Sequence, residues 1–268
     1  MRRSSIARLL ASAAVTALLA ASLGGCQTMG DITGSLTSKS DKVAETDPRR
    51  AAEVYGERYR TNPRDADAAL GYGTALRATG QRAQAAAVLE QASLANPGNR
   101  QILAAYGRAL ADNGNFQKAF DVLSRAHSPD SPDWRILSVQ GTALDQMGKH
   151  EQARGYYASA LRIAPDEPTV LSNLGLSYVL SRDLPRAEET LRKAQASGRA
   201  DARVRQNLAL AVGLQGRFAE AESIARADLP PEEAAANVAY LRQMLARKDN
   251  PRTAARGKPP VVAQDQSD

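Results

Sequence analysis

Residues of the same kind return every 34 positions along the middle of this chain, and a period of that size restricts the fold more than any other feature of the sequence. At this step Tyr72-Gly73, Tyr106-Gly107, Gln140-Gly141, Leu174-Gly175 and Leu208-Ala209 fall in register. So do Leu76, Leu110, Leu144, Tyr178 and Val212, and then Ala85, Ala119, Ala153, Ala187 and Ala221. A further set is Leu89, Leu123, Tyr157 and Leu191, and another is Ala92, Ala126, Ala160 and Ala194. Pro63, Pro97 and Pro165 keep the spacing, and Pro132 stands one residue from the missing member. Small residues at the 73 and 85 positions let two helices of one unit approach closely, while large apolar residues at 72, 76 and 89 fill the space between units. Gly80, Gly114, Gly148 and Gly216 mark the end of the first helix, where a left-handed residue is wanted. Arg182 occupies that place in the fourth unit, and Pro185 is suited to open the helix after it.

This pattern resembles the tetratricopeptide repeat, a helix-turn-helix unit, over residues 48–228. The resemblance implies an all-α, right-handed superhelical solenoid of about five repeats plus a terminal capping helix. The expected division is a half repeat at 48–63, in which Ala51, Tyr55 and Pro63 match the 85, 89 and 97 positions, and then repeats at 66–99, 100–133, 134–167, 168–201 and 202–228. After Pro230-Pro231, residues 229–247 place Val238, Leu241 and Leu245 on one stripe of a helix that can cover the last open apolar face. Residues 248–268, with Pro, Lys, Arg and Gln and no periodicity, read as a disordered basic tail.

Ahead of the repeats, Arg2, Arg3 and Arg8 precede an apolar run from Leu9 to Leu23 that is short for a membrane span. That is the layout of an export signal, over residues 1–25. It closes on Leu23-Gly24-Gly25-Cys26, which resembles the lipobox of bacterial lipoproteins. The small residues admit the backbone to a peptidase, and the thiolate of Cys26 is the nucleophile that takes the lipid. The resemblance implies cleavage before Cys26, acylation of that residue and anchoring in a membrane. Gln27 rather than Asp follows the cysteine, a pattern that directs sorting to the outer membrane, facing the periplasm. Residues 26–47, rich in Gly, Ser, Thr and Lys, read as a flexible tether.

Composition narrows the function classes. A single Cys excludes an internal disulfide framework, and with two separated His it leaves no zinc-binding set, so no metal and no cofactor are expected. The formal charge is +6, but loss of the three signal-peptide arginines and the concentration of basic residues in the tail leave the array nearly neutral. Nucleic acid is therefore not the implied partner. His127 sits in a Ser-Pro loop, His150 occupies the place of Phe116 and Phe218 and reads as packing, and no carboxylate pair stands out as acid and base. No catalytic residue, no small-molecule substrate and no enzymatic activity are expected.

Function is then expected from a surface. In tetratricopeptide domains the first helices line a concave groove, and the register puts Asp67, Leu70, Thr74, Arg77, Gln101, Arg108, Asp112, Arg135, Thr142 and Asp145 on it in the first three repeats. The last two contribute Ser172, Leu176, Val179, Leu180, Arg203, Gln206, Leu210 and Leu214. Arg77, Arg108 and Arg135 make the first half charged, and Leu176, Val179, Leu180, Leu210 and Leu214 make the second apolar. Such a wall suits an apolar helix or extended segment of a partner, unless the capping helix itself covers Leu210 and Leu214. Asn173 and Asn207 stand where the family's carboxylate clamp uses asparagine, but the clamp lysines are missing.

The run from Arg226 to Leu241, Arg-Ala-Asp-Leu-Pro-Pro-Glu-Glu-Ala-Ala-Ala-Asn-Val-Ala-Tyr-Leu, looks like the close of the TadD family, tetratricopeptide lipoproteins of the tight-adherence (Flp) pilus assembly system. That resemblance implies a non-enzymatic factor that helps the pilus secretin localise or multimerise in the outer membrane, with the secretin or other Tad components as protein partners. The alternative is a general periplasmic adaptor that recruits an envelope hydrolase or other partner.

Overall fold

The computed structural model describes residues 47–249. The export signal, Leu23, Gly24, Gly25, Cys26, the tether before residue 47 and the tail beyond residue 249 lie outside the described residues.

Twelve α-helices make up the described fold: α1 (Pro48–Thr61), α2 (Ala66–Ala78), α3 (Arg82–Ala95), α4 (Arg100–Asp112), α5 (Phe116–Ser124), α6 (Trp134–Gln146), α7 (His150–Ile163), α8 (Pro168–Leu180), α9 (Leu184–Ala196), α10 (Ala202–Leu214), α11 (Phe218–Ala225) and α12 (Pro231–Asp249). The even-numbered helices from α2 to α10 are the first helices of the repeats, and the odd-numbered ones are the second.

Each first helix starts at a side-chain cap that itself recurs at the 34-residue step: Asp65, Asn99, Asp133, Glu167 and Asp201 each accept a backbone N–H of the opening turn. Each stops at a left-handed residue. Gly80 takes φ +80°, and the N–H of Gln81 then donates to the carbonyl of Leu76 at 2.8 Å. Arg182 adopts the same conformation with φ +63°, and Asp183 donates to Tyr178 at 2.9 Å, so the fourth repeat keeps the turn without glycine. Asp183 caps α9 while Pro185 sits in its first turn.

Close approach within a repeat follows from the glycines of the first helices. A Cβ on Gly107 would lie 2.4 Å from the Leu123 side chain, and one on Gly141 would lie 2.5 Å from the Tyr157 ring. Gly73 against Leu89 and Gly175 against Leu191 repeat the arrangement. The large residue at the 89 position thus packs onto the glycine of its own repeat, as well as joining the apolar layer shared with the next. Leu89, Leu123, Tyr157 and Leu191 are almost wholly buried, each contributing about 1.5–3 kcal/mol. In the last repeat Ala209 and Ala225 replace the Gly–Leu pair.

Helix α5 ends at Ser124, shorter than α3, α7 and α9, and the chain crosses to α6 through a turn in which Ser128 and Ser131 form a single bridge. At the far end, α12 packs on α10 and α11, where the first helix of a sixth repeat would lie. Its register agrees with that position: Val238 continues the buried series Ile102, Ile136, Val170 and Val204 at the same 34-residue step. Leu241 closes on Gly213, where a Cβ would come within 2.6 Å of it. The run before α12 has a local task as well. Asp228 accepts two hydrogen bonds from the Arg205 guanidinium, one from Nε at 2.7 Å, and Leu229 packs with Ala209, Ala225 and Ala234.

Successive first helices touch: α2 meets α4, α4 meets α6, α6 meets α8 and α8 meets α10. Among the described residues the backbones of successive second helices stay apart, and only side chains cross between them, as in the Lys118–Glu90 and Arg192–Glu220 ion pairs and the Phe120–Tyr156 ring contact. The repeats are therefore wedges, narrow on the side of the first helices, and stacking wedges bends the array so that those helices form its inner wall.

Candidate protein-interaction groove

On that inner wall the first half is polar and charged. Arg77 on α2 donates from Nε to Asp112 on α4 at 2.7 Å, tying two neighbouring first helices. Asp133 caps α6 by accepting the N–H of Arg135, whose own guanidinium lies 4.4 Å from the centroid of the Trp134 ring. Arg108, half-buried on α4, has no ion-pair partner among the described residues. Burial, and then the like charges of Arg77 and Arg135, hold its pKa below the ordinary arginine value against the opposing pull of Asp133. Arg77, Arg100 and Arg108 line one pocket of about 510 Å³ together with Asp133.

The second half differs in kind. The Asn173 amide donates to Ser138 Oγ at 3.0 Å, and the Asn207 amide donates to Ser172 Oγ at 2.9 Å, so one polar rung is repeated between α6 and α8 and between α8 and α10. Both serines are buried. These asparagines, expected as partner-binding groove residues, have their amide N–H groups engaged between helices. Leu176, Leu210 and Leu214 are half-buried, and Leu180 is 45% exposed. Val179 packs against the cluster that includes Leu191, Leu208, Val212 and Val238. The cap reaches Gly213 through Leu241 and leaves Leu210 and Leu214 partly open.

Two expected groove residues are placed elsewhere. Ser172 is 1% exposed in its rung with Asn207, and Asp145 is 6% exposed. Asp145 accepts from Ser177 Oγ at 2.8 Å and from the Tyr157 hydroxyl at 2.9 Å, and it lies 2.9 Å from His150 Nδ1. Burial first, and then the Asp145 charge, push the Tyr157 pKa far above its ordinary value. His150 is thus a hydrogen-bonding partner as well as a packing residue, and not every carboxylate sits on a solvated face. The sequence carried a signal for this cluster. Tyr157 stands where most other repeats have Leu, Ser177 where the others have Ala, and His150 where most others have Phe or Leu, and these departures from the pattern meet around one carboxylate.

Two segments, residues 42–109 and 144–211, match the tetratricopeptide repeat family, together just over half of the chain. The chain belongs to the tetratricopeptide-repeat family. Like other tetratricopeptide arrays it is a protein-interaction scaffold, and proteins of this fold are generally non-catalytic. No curated protein matches it significantly. Among solved structures it is similar to PilW, described as a widely conserved type IV pilus biogenesis factor, at 20% identity and a TM-score of 0.63, covering 75% of this chain and 99% of that one. It is also similar to TTC0263, a thermophilic tetratricopeptide protein of Thermus thermophilus, at 22% identity and a TM-score of 0.58, covering 66% and 99%. A match to the APC/C hetero-tetramer Cut9-Hcn1, at 16% identity and a TM-score of 0.60, covers 76% of this chain but spans only 42% of the other. At these identities the likeness is one of fold.

Proposed function

We propose that this tetratricopeptide protein is a lipid-anchored scaffold of the Tad/Flp pilus machine, held by Cys26 in the outer membrane, facing the periplasm, and supporting localisation or multimerisation of the pilus secretin. The observation that carries the reading is the joint presence of the Leu23–Cys26 lipobox, the repeat array and the Arg226–Leu241 run in one chain. Among the described residues no helix is long and apolar enough to cross a membrane. The fold likeness to PilW is in keeping with a pilus role. Physically, the solenoid brings no chemistry of its own. It offers a curved wall on which a partner segment replaces water over Leu176, Leu180, Leu210 and Leu214, and such a wall can hold a client subunit near the membrane until it oligomerises.

Deleting the gene is expected to remove surface pili and to lower secretin multimers on blots of unboiled envelope; unchanged pili and multimers would refute the reading. Cys26→Ser is expected to release the protein into the soluble fraction with its helical circular dichroism intact. If the loss of the gene instead alters cell-wall hydrolysis with pili intact, the chain is a hydrolase adaptor.

A further inference from the structure

Arg108 is a groove residue with no ion-pair partner among the described residues. Arg77 is committed to Asp112, Asp133 is committed to the start of α6, and Arg135 lies over Trp134. A half-buried guanidinium has lost part of its hydration, and without a carboxylate partner nothing returns that free energy. Arg77 and Arg135 add like-charge repulsion, which the lowered pKa of Arg108 reflects. The pocket around it is lined by three guanidinium groups, of which Arg77 is paired with Asp112, and by the carboxylate of Asp133.

We propose that the first half of the groove binds an acidic segment of a partner protein, seating one carboxylate on Arg108 and others on Arg100 and Arg135. A carboxylate matches the fork of guanidinium N–H donors in a way that a point charge does not. Leu70 and Thr74 line this pocket and also the next one toward the amino-terminal end, about 640 Å³, which Ala51 and Tyr55 of α1 complete. The bound segment therefore carries apolar side chains beside its acidic ones. A membrane surface fits less well: anionic headgroups can reach the exposed Arg100 and Arg135, while Arg108 is recessed on the inner wall. This inference rests on the groove being the partner surface of the scaffold described above.

The test uses the full-length chain in detergent and three fluorescent peptides that alternate leucine with Glu, Gln or Lys. The Glu peptide is expected to bind and to weaken as salt rises, with the Gln and Lys peptides much weaker. Arg108→Gln is expected to lower its affinity roughly tenfold, and Arg135→Glu by a comparable factor, with unchanged circular dichroism. Leu94→Ser, at an exposed position of the second helix α3, is expected to leave that affinity unchanged. Equal affinity for the Glu and Gln peptides, absence of binding, or no loss in the Arg108 and Arg135 variants would overturn the inference. Binding to phosphatidylglycerol vesicles that is lost in Arg108→Gln would assign the site to a membrane instead. The two readings fail separately. Pili lost on deletion but retained by an Arg108→Glu strain would remove the acidic partner and leave the pilus role. An Arg108-dependent Glu peptide with pili intact on deletion would do the reverse.

Discussion

The two halves of the inner wall use their polar groups in opposite ways. In the first three repeats Arg77 ties α2 to α4 through Asp112, but Arg100 and Arg108 open into the groove, and Arg108 has no ion-pair partner among the described residues. In the last two repeats the corresponding wall is aliphatic, and its polar groups, Asn173, Asn207 and the buried serines, are spent joining one first helix to the next. Asp145 with its three partners sits at the change-over between them. The difference teaches that a repeat fold can assign the same structural position either to cohesion or to recognition. Hydrogen-bond accounting, rather than position, tells which.

The sharpest way to break this comparison is at the change-over. Asp145→Ala leaves the Tyr157 hydroxyl and Ser177 buried without their acceptor and is expected to cost about 3 kcal/mol in urea unfolding. Asp112→Ala, at an exposed ion pair of the first half, is expected to cost less than about 1 kcal/mol. Equal losses would show that Asp145 is no joint.

Packing provides the next largest effect. Gly107→Ala pushes a methyl group into the branch of Leu123 in the middle of the array, and about 1–3 kcal/mol should be lost. Gly213→Ala meets chiefly the tip of Leu241 on the terminal helix, which can withdraw, so its thermal midpoint should fall less.

Acid sharpens the contrast on the outer surface of the second half. Glu188 accepts from Gln215, Arg192 and Arg217, and although burial works the other way these bonds bring its pKa down to about 2. A carboxyl whose pKa is depressed on folding stabilises the native state above its unfolded value, and that contribution is lost as pH falls from about 4.5 to about 2. Stability measured across that window should fall less steeply in Glu188→Gln than in the wild type. A further expected effect is a gain. Arg182→Gly relieves a left-handed non-glycine residue and should raise stability by about 1 kcal/mol, detectable as a higher thermal midpoint.

Much of this architecture was legible because the repeat demands small residues where helices cross and a left-handed residue where they turn. Gly107, Leu123 and Gly80 announce their roles through spacing alone. The register of Val238 with Val204 was equally readable, and so was the recurrence of the capping residues from Asp65 to Asp201. The uses of polar side chains were less so. Nothing in the identity of Asp145 says that it is buried, because that depends on Ser177 and Tyr157 arriving from two other helices. Asn173 likewise reads as a groove residue until Ser138, in the preceding repeat, is seen to take its N–H. The array specifies which helices meet, and departures from the pattern must be followed in space to learn what they bond.

The wedge shape has a mechanical side. Neighbouring first helices are in backbone contact along the inner wall, whereas the second helices are joined on the outer surface only through side chains such as Lys118–Glu90 and Arg192–Glu220. A load that straightens the array pulls on the inner contacts and closes the outer gaps, and a load that tightens it stretches the side-chain bridges outside. The protein is in this sense a leaf spring with its stiff side facing the client, and small, recoverable bending changes the width of the groove without unfolding a single repeat.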